Sequence, residues 1–148
     1  NDIKTFFSER FGTNPNLLNV YGHMQWLAPL ASGSAISRAM VICPCTSGCL
    51  AAIAGGMSDN LLERAADVSL KENKPLILVH RETPLSVIQL ENMLKLARAG
   101  ATLLPANPGF YYKPKGINDL VDFVVARILD HLQVPHHISE RWSLDNDC

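Results

Sequence analysis

The stretch that decides the fold is Val41-Ile42-Cys43-Pro44-Cys45-Thr46-Ser47-Gly48-Cys49-Leu50-Ala51-Ala52-Ile53. The apolar run from Ala39 to Cys43 predicts a short parallel strand that is buried on both faces. Pro44 has no backbone N–H, so we expect it to end this strand. Thr46 and the serine after it suit the N-cap of a following helix, and Gly48 lets a ligand approach the backbone closely. A helix N-terminus at the carboxyl end of a strand favours anions, although a turn that binds nothing fits the same pattern.

The composition indicates one globular domain over residues 1–148, because 47% of the residues are hydrophobic and 18% are charged. A net charge of −1 gives no reason to expect nucleic acid as a partner. No apolar run approaches the roughly 20 residues of a membrane span. The first residues do not follow the charged-then-apolar pattern of a secretory leader, and the 4 cysteines do not indicate a disulfide framework. We therefore expect free thiols in a reducing, cytoplasmic compartment.

The cysteine cluster raises the question of a metal site. Cys43, Cys45 and Cys49 lie close in sequence, but their spacing matches neither zinc pairs nor ferredoxin runs. We expect no metal here, and we expect Cys43 and Cys45 to be small buried apolar residues.

Two further strands are predicted, at 75–80 and at 101–104. The resulting order, strand–helix–helix–strand–helix–strand–loop–helix, predicts an α/β fold with a Rossmann-like, doubly wound, mainly parallel sheet. Three strands make a thin sheet, so either residues 20–30 add another strand or the domain is incomplete. Residues 133–148 are interpreted as a tail, in which His136 and His137 are expected to be exposed.

Local signals mark the helices between these strands. Gly55-Gly56 is expected to end the first helix, and Ser58 or Asp59 to cap the second. Thr83 is expected to cap the third helix, with Pro84 at its first position. The last helix carries an apolar stripe from residue 117 to residue 132.

Two segments after strands carry polar side chains. Arg81-Glu82 follows the second strand directly, at the sheet edge where α/β folds place their ligands. The loop Pro105–Pro114 is stiffened by three prolines and carries Tyr111 and its neighbour Tyr112, which favours a functional loop. Arg64 and Lys71 are two helical turns apart, and two solvated basic residues are the plainer interpretation of them.

These segments resemble the UbiX-like flavin prenyltransferases. The resemblance rests on Arg64–Glu72, Arg81–Leu85, Pro108–Pro114 and Ala126–Asp130, together with Ser32-Gly33-Ser34 before the first strand and Pro44–Ser47 after it. It runs from about Ser32 to Trp142, with the segments in the family's order. The family opens with a strand, a flavin-phosphate loop, a helix and another strand, and this sequence contains no counterpart of that unit. Gly48-Cys49 is a second departure, because relatives often carry bulkier residues there.

The resemblance implies a flavoprotein fold and a reaction. Such enzymes transfer a dimethylallyl group from dimethylallyl monophosphate to reduced FMN, without a metal. The prenylated FMN then serves a decarboxylase of the UbiD type. Members of the family are typically homododecamers.

The resemblance also implies roles for individual residues. Glu82 is the expected proton-transfer group, Lys71 is expected to assist the departing phosphate, and Trp142 is expected to cover the prenyl chain. The expected FMN-binding residues are Thr46, Ser47, Gly48, Cys49, Arg81 and Ser32. The expected phosphate-binding residues are Tyr111, Arg127, Lys71 and Arg64.

Two other functions remain open from the sequence. One is a flavin-dependent cysteine decarboxylase, which is disfavoured because no Asn-rich substrate motif of that branch is present. The other is a non-catalytic flavin-binding or assembly subunit, since a chain without the flavin-phosphate loop would bind FMN poorly.

Overall fold

Three parallel strands form the sheet in the computed structural model, which describes residues 2–139. They are β1 (Met40–Cys45), β2 (Leu76–His80) and β3 (Thr102–Leu103), and their order in the sheet is β1-β2-β3. Since the strands are parallel, all three carboxyl ends lie at one edge of the sheet. The predicted α/β architecture is confirmed.

Five α-helices accompany the sheet among the described residues. They are α1 (Ile3–Phe11), α2 (Ser47–Gly55), α3 (Leu61–Lys71), α4 (Val87–Arg98) and α5 (Ile117–His131). Three short 3-10 turns, Pro15–Leu17, Pro29–Ala31 and Gly33–Ala35, lie between α1 and β1. No helix within residues 2–139 is long and apolar enough to cross a membrane.

β2 is the centre of the core, and every one of its residues is buried. Successive side chains of a strand point to opposite faces, so β2 contributes to two apolar clusters. Leu76 and Leu78 pack with β1, α2 and α4 on one face. Ile77 and Val79 pack with Ile128 of α5 on the other face. Helices therefore cover both faces of the sheet, as a doubly wound fold requires.

Pro44 does not end β1, contrary to the expectation from sequence. The register shifts between Ile42 and Cys45, and pairing resumes where Cys45 lies opposite His80. Proline is tolerated in a strand at such an irregular step, because no ladder bond is needed from its nitrogen there. The strand thus delivers Cys45 to the carboxyl edge of the sheet.

Two helices begin later than predicted. Asn60 caps α3, and its side chain accepts from the Glu63 N–H at 3.0 Å, so neither Ser58 nor Asp59 is the cap. Ser86 caps α4 in place of Thr83. In both cases several cap-forming residues lie within a few positions of one another, so the sequence pattern alone does not select the cap.

Residues 20–30 contain no strand, so of the two alternatives for the thin sheet, a fourth strand in this segment is wrong. This segment forms turns that are tied to α3: the Leu61 N–H donates to the His23 carbonyl at 2.8 Å. The helix α1 was not predicted from the sequence. Its Phe6, Phe7 and Phe11 rings contact one another on an exposed helix.

Candidate functional site

Thr46 is the N-cap of α2 at the carboxyl end of β1, as predicted. Its hydroxyl accepts a hydrogen bond from the Cys49 N–H at 3.2 Å. Ser47 and Gly48 follow in the first turn of the helix, where backbone N–H groups lack partners within the helix. A Cβ placed on Gly48 would meet no atom within 4 Å, so open space lies in front of this turn.

Glu82 lies at the same edge of the sheet, beyond the end of β2. The Ser47 hydroxyl donates to Glu82 Oε2 at 2.9 Å, and the Thr83 N–H donates to Glu82 Oε1 at 3.2 Å. The hydrogen bond from Ser47, followed by that from Thr83 and the nearby charges of Arg81 and His80, lowers the pKa of the Glu82 carboxyl. Glu82 is therefore a carboxylate at neutral pH, with both of its oxygens held by hydrogen-bond donors.

Gln89 completes this arrangement and was not among the predicted site residues. Its Nε2 donates to the Ser47 hydroxyl at 2.9 Å, so α4 joins the N-terminus of α2. The available signal was Ser86-x-x-Gln89, the spacing of a capping box, which places Gln89 in the first turn of α4.

His80 was also not predicted as a site residue, and its side chain connects the ends of β1 and β2. Its side chain is buried, with 2% exposure, and Nδ1 lies 2.8 Å from the Cys45 carbonyl oxygen. A carbonyl only accepts, so Nδ1 carries the proton and donates it. Among the described residues, the other ring nitrogen, Nε2, has no hydrogen-bond partner.

The three cysteines near this turn are free thiols with different environments. Cys45 is 1% exposed, as predicted, whereas Cys43 is exposed, which contradicts the expectation that it is buried. A hydrogen bond with Cys49, together with burial, raises the pKa of Cys45, and the same hydrogen bond lowers the pKa of Cys49. Within residues 2–139, no three His, Cys, Asp or Glu side chains form a cluster that could hold a metal ion.

Ser32 lies in a loop that packs against the end of α3. The Ser32 and Ser34 hydroxyls are 3.0 Å apart. A Cβ on Gly33 would collide with the Glu72 carboxylate, so glycine permits this close approach. Glu72 is in turn 3.6 Å from the Lys71 ammonium.

The predicted phosphate-binding cations each have an acidic neighbour on or beside their own helix. Arg64 contacts Asp67 at 3.0 Å and also donates through Nε to the Ala31 carbonyl at 3.1 Å. Arg127 contacts Asp130 at 3.0 Å, and its side chain is 53% exposed. These pairs agree with the plainer interpretation, in which the basic residues are surface side chains beside carboxylates. Exposed pairs of this kind contribute little to stability.

Lys71 and Arg81 lie at opposite ends of β2. Lys71 ends α3 just before the strand, and Arg81 follows the strand directly. A strand of 5 residues rises about 3.3 Å per residue, so its first and last Cα atoms are about 13 Å apart. Lys71 therefore lies toward the amino end of β2, whereas Arg81 lies at the carboxyl edge of the sheet.

The aromatic loop after β3 packs on α5. The Tyr112 ring stacks on Phe123 with centroids 5.4 Å apart, and its hydroxyl donates to the Asp119 carbonyl at 2.8 Å. Tyr111 contacts the same phenylalanine edge-on, with centroids 6.2 Å apart, and remains exposed. Gly109 leaves room for it, because a Cβ there would lie 2.6 Å from the Tyr111 ring.

The tail differs from the prediction where it is described. His137 is exposed as expected, but the His136 side chain is buried and its Nε2 lies 3.1 Å from Asp130. Asp130 thus lies between Arg127 and His136. Trp142 lies outside the described residues.

Comparisons with known proteins agree on one family. The Flavoprotein family matches residues 4–129 of the chain. The flavin prenyltransferase UbiX of Pseudomonas aeruginosa is 54% identical over 140 residues, which are 95% of this chain and 67% of that protein. UbiX of Halalkalibacterium halodurans is 49% identical over 146 residues, 99% of this chain and 71% of that protein. The chain thus spans 67% to 71% of the length of these two relatives.

Solved structures are similar over most of the chain. The crystal structure of AnUbiX (PadA1) in complex with FMN and dimethylallyl pyrophosphate has a TM-score of 0.82 and 46% identity, covering 84% of this chain and 66% of that one. A dodecameric FMN-dependent UbiX-like decarboxylase from Escherichia coli O157:H7 has a TM-score of 0.82 and 39% identity, covering 95% of this chain and 78% of that one. The chain therefore belongs to the Flavoprotein family and, within it, to the UbiX flavin prenyltransferases.

Proposed function

We propose that this protein transfers a dimethylallyl group from dimethylallyl monophosphate to reduced FMN, making prenylated FMN for a decarboxylase of the UbiD type. Membership of the UbiX family carries this proposal. The hydrogen-bonded pair of Ser47 and Glu82, at the ligand-binding edge of the sheet, supports it chemically. Reduced FMN, when bound, supplies the nucleophile for the transfer.

The first turn of α2 fits a flavin. Unpartnered N–H groups at the helix N-terminus suit its polar edge, and the open space at Gly48 leaves room for a planar ring. In this proposal the FMN contacts come from Thr46–Cys49, with a further contact from Arg81. Ser32 lies beside Glu72 at the end of α3, like Lys71, and is proposed to contact FMN from a second copy of the chain. Glu82 moves a proton beside the flavin, because its carboxylate is held at this edge by two donors.

In this proposal the phosphate of dimethylallyl monophosphate is bound by exposed cations and one hydroxyl. Arg127 offers a planar fork and Tyr111 a hydroxyl, both exposed. A phosphate dianion can replace an exposed carboxylate partner at small cost, because such surface pairs are weak. We further propose that Trp142 covers the prenyl chain.

We propose that Arg64 and Lys71 join this phosphate site from a second copy of the chain. They lie on α3, and Lys71 is at the far end of β2 from Arg81. We therefore propose a homo-oligomer, and a dodecamer in line with the Escherichia coli relative. We propose a cytoplasmic location as well, which suits the three free thiols.

The test is product formation from purified protein, reduced FMN and either dimethylallyl monophosphate or dimethylallyl pyrophosphate, the ligand named in the AnUbiX structure. We expect prenylated FMN, detected by mass and absorbance, with the monophosphate as the better donor. Carbon dioxide released from a cysteine-derived substrate would favour the decarboxylase alternative. Tight FMN binding without either product would favour a non-catalytic flavin-binding subunit.

A further inference from the structure

Two helix N-termini meet at the site, and one side chain joins them. Ser47 is the first residue of α2, and Ser86 is the N-cap of α4. Gln89, in the first turn of α4, contacts both. Its Oε1 accepts from the Ser86 N–H at 2.7 Å, and its Nε2 donates to the Ser47 hydroxyl at 2.9 Å.

These hydrogen bonds connect Ser86, Gln89, Ser47 and Glu82 in series, and the bond from Ser86 determines the direction of the others. The Ser86 backbone N–H can only donate, so the amide oxygen of Gln89 must face it. The NH2 group of Gln89 then faces Ser47, whose hydroxyl oxygen accepts from it. The Ser47 proton is thereby left to donate to the Glu82 carboxylate, 2.9 Å away.

We propose that Gln89 is a positioning residue that, through Ser47, directs a proton donor at Glu82 and holds its carboxylate in the reactive orientation. This deepens the proposed function, because it explains how the proton-transfer group is kept ready. The Thr83 N–H holds the other carboxylate oxygen at 3.2 Å, so both oxygens of Glu82 are fixed by donors.

The charged groups around Glu82 act in the same direction as this chain of hydrogen bonds. The hydrogen bond from Ser47 is the largest cause that lowers the pKa of Glu82, followed by the Thr83 N–H, and Arg81 and His80 add smaller contributions. Loss of the donor from Gln89 weakens the polarisation of the Ser47 hydroxyl. The pKa of Glu82 should then rise toward its ordinary value.

The experiment measures the Glu82 pKa directly, by NMR titration of 13C-labelled glutamate carboxyls in the folded chain. Gln89→Met keeps the size and removes both polar contacts. Ser86→Ala is the matched control, because it removes the cap acceptor for the Gln89 N–H but leaves the Gln89 amide on Ser47. We expect Gln89→Met to raise the pKa of Glu82 and Ser86→Ala to leave it unchanged.

A second background tests whether Gln89 acts through Ser47. In Ser47→Ala protein, Gln89→Met should have no further effect on the Glu82 pKa, because the connection is already cut. An unchanged pKa in Gln89→Met, an equal rise in Ser86→Ala, or an undiminished effect in the Ser47→Ala background would each overturn the proposal.

The rate of prenyl transfer separates this inference from the proposed function. If Glu82 is the proton-transfer group, the acid limb of the pH–rate profile moves with the NMR pKa in Gln89→Met, and kcat falls more than KM changes. If the pKa of Glu82 moves but the pH–rate profile does not, Gln89 positions the carboxylate as proposed. The same result would overturn the assignment of Glu82 as the proton-transfer group, and with it a role for Gln89 in catalysis.

Discussion

The carboxyl edge of the sheet and the ion pairs on α3 and α5 are built on different principles. At the edge, Ser47, Glu82 and Gln89 come from three segments and share directed hydrogen bonds of 2.9 Å. On the helices, Arg64 and Arg127 pair with carboxylates three residues away on the same helix. The first arrangement requires the fold, whereas the second requires only a helix.

The side chains at the sheet edge are positioned before a ligand binds, whereas the paired arginines can exchange their carboxylate partner for a ligand. A network held from both ends keeps its geometry before a ligand arrives, which suits proton transfer. An exposed ion pair such as Arg127–Asp130 contributes little, so a more highly charged anion can displace its carboxylate. The edge is thus suited to chemistry, and the helical cations to holding a phosphate.

The largest effect is expected from the edge. Glu82→Gln keeps the side-chain size but cannot accept a proton as a carboxylate does. We expect FMN to remain bound while product formation slows by a factor of about 10²–10⁴, the contribution usual for an acid–base group. Single-turnover formation of prenylated FMN measures it, with flavin fluorescence as the control for binding. A variant as fast as the parent would assign Glu82 a structural role only.

A smaller effect is expected from Arg127, which we propose binds the phosphate. Arg127→Ala should weaken binding of dimethylallyl monophosphate by about 1.5–3 kcal/mol, the scale of a charge-assisted hydrogen bond, and should spare FMN. Calorimetric titration with the monophosphate measures the change.

Asp130→Asn is the matched control for Arg127. It removes the acidic partner of the arginine, 3.0 Å away, while keeping the side-chain size. We expect this variant to bind the monophosphate at least as tightly as the parent, because Arg127 no longer has to leave a carboxylate. Equal affinity for the parent and Arg127→Ala would instead make the surface pair the whole role of this arginine.

The smallest effect concerns stability and pH at the edge. The pKa of Glu82 is lowered in the folded protein, chiefly by the Ser47 hydroxyl. Its contribution to stability is therefore present above the unfolded pKa, about 4.3 for glutamate, and is lost as the pH falls through the lower, folded value. Urea unfolding at several pH values should show the parent more stable than Glu82→Gln at neutral pH and the two converging in acid. A constant difference would show that the hydrogen bonds to Glu82 do not depend on its charge.

The sequence by itself determined the order of the elements from β1 onward and the position of the candidate site in outline. The apolar runs at β1 and β2 and the cap at Thr46 are local signals, so they predict a parallel strand followed by a helix N-terminus without knowledge of the fold. The rule that ligands bind at the carboxyl edge then indicated both Ser47 and Glu82. The family resemblance supplied the reaction, and the comparisons confirm the family.

Only the tertiary structure decided which side chains meet. Ser47 is 35 residues from Glu82 and 42 residues from Gln89, so these contacts depend on how α2 and α4 pack, which no local pattern encodes. Packing likewise let β1 continue through Pro44, because the register shift there removes the need for a ladder bond. Local periodicity fixes the elements because neighbours in sequence share them, whereas the site exists because the sheet aligns the ends of distant strands at one edge.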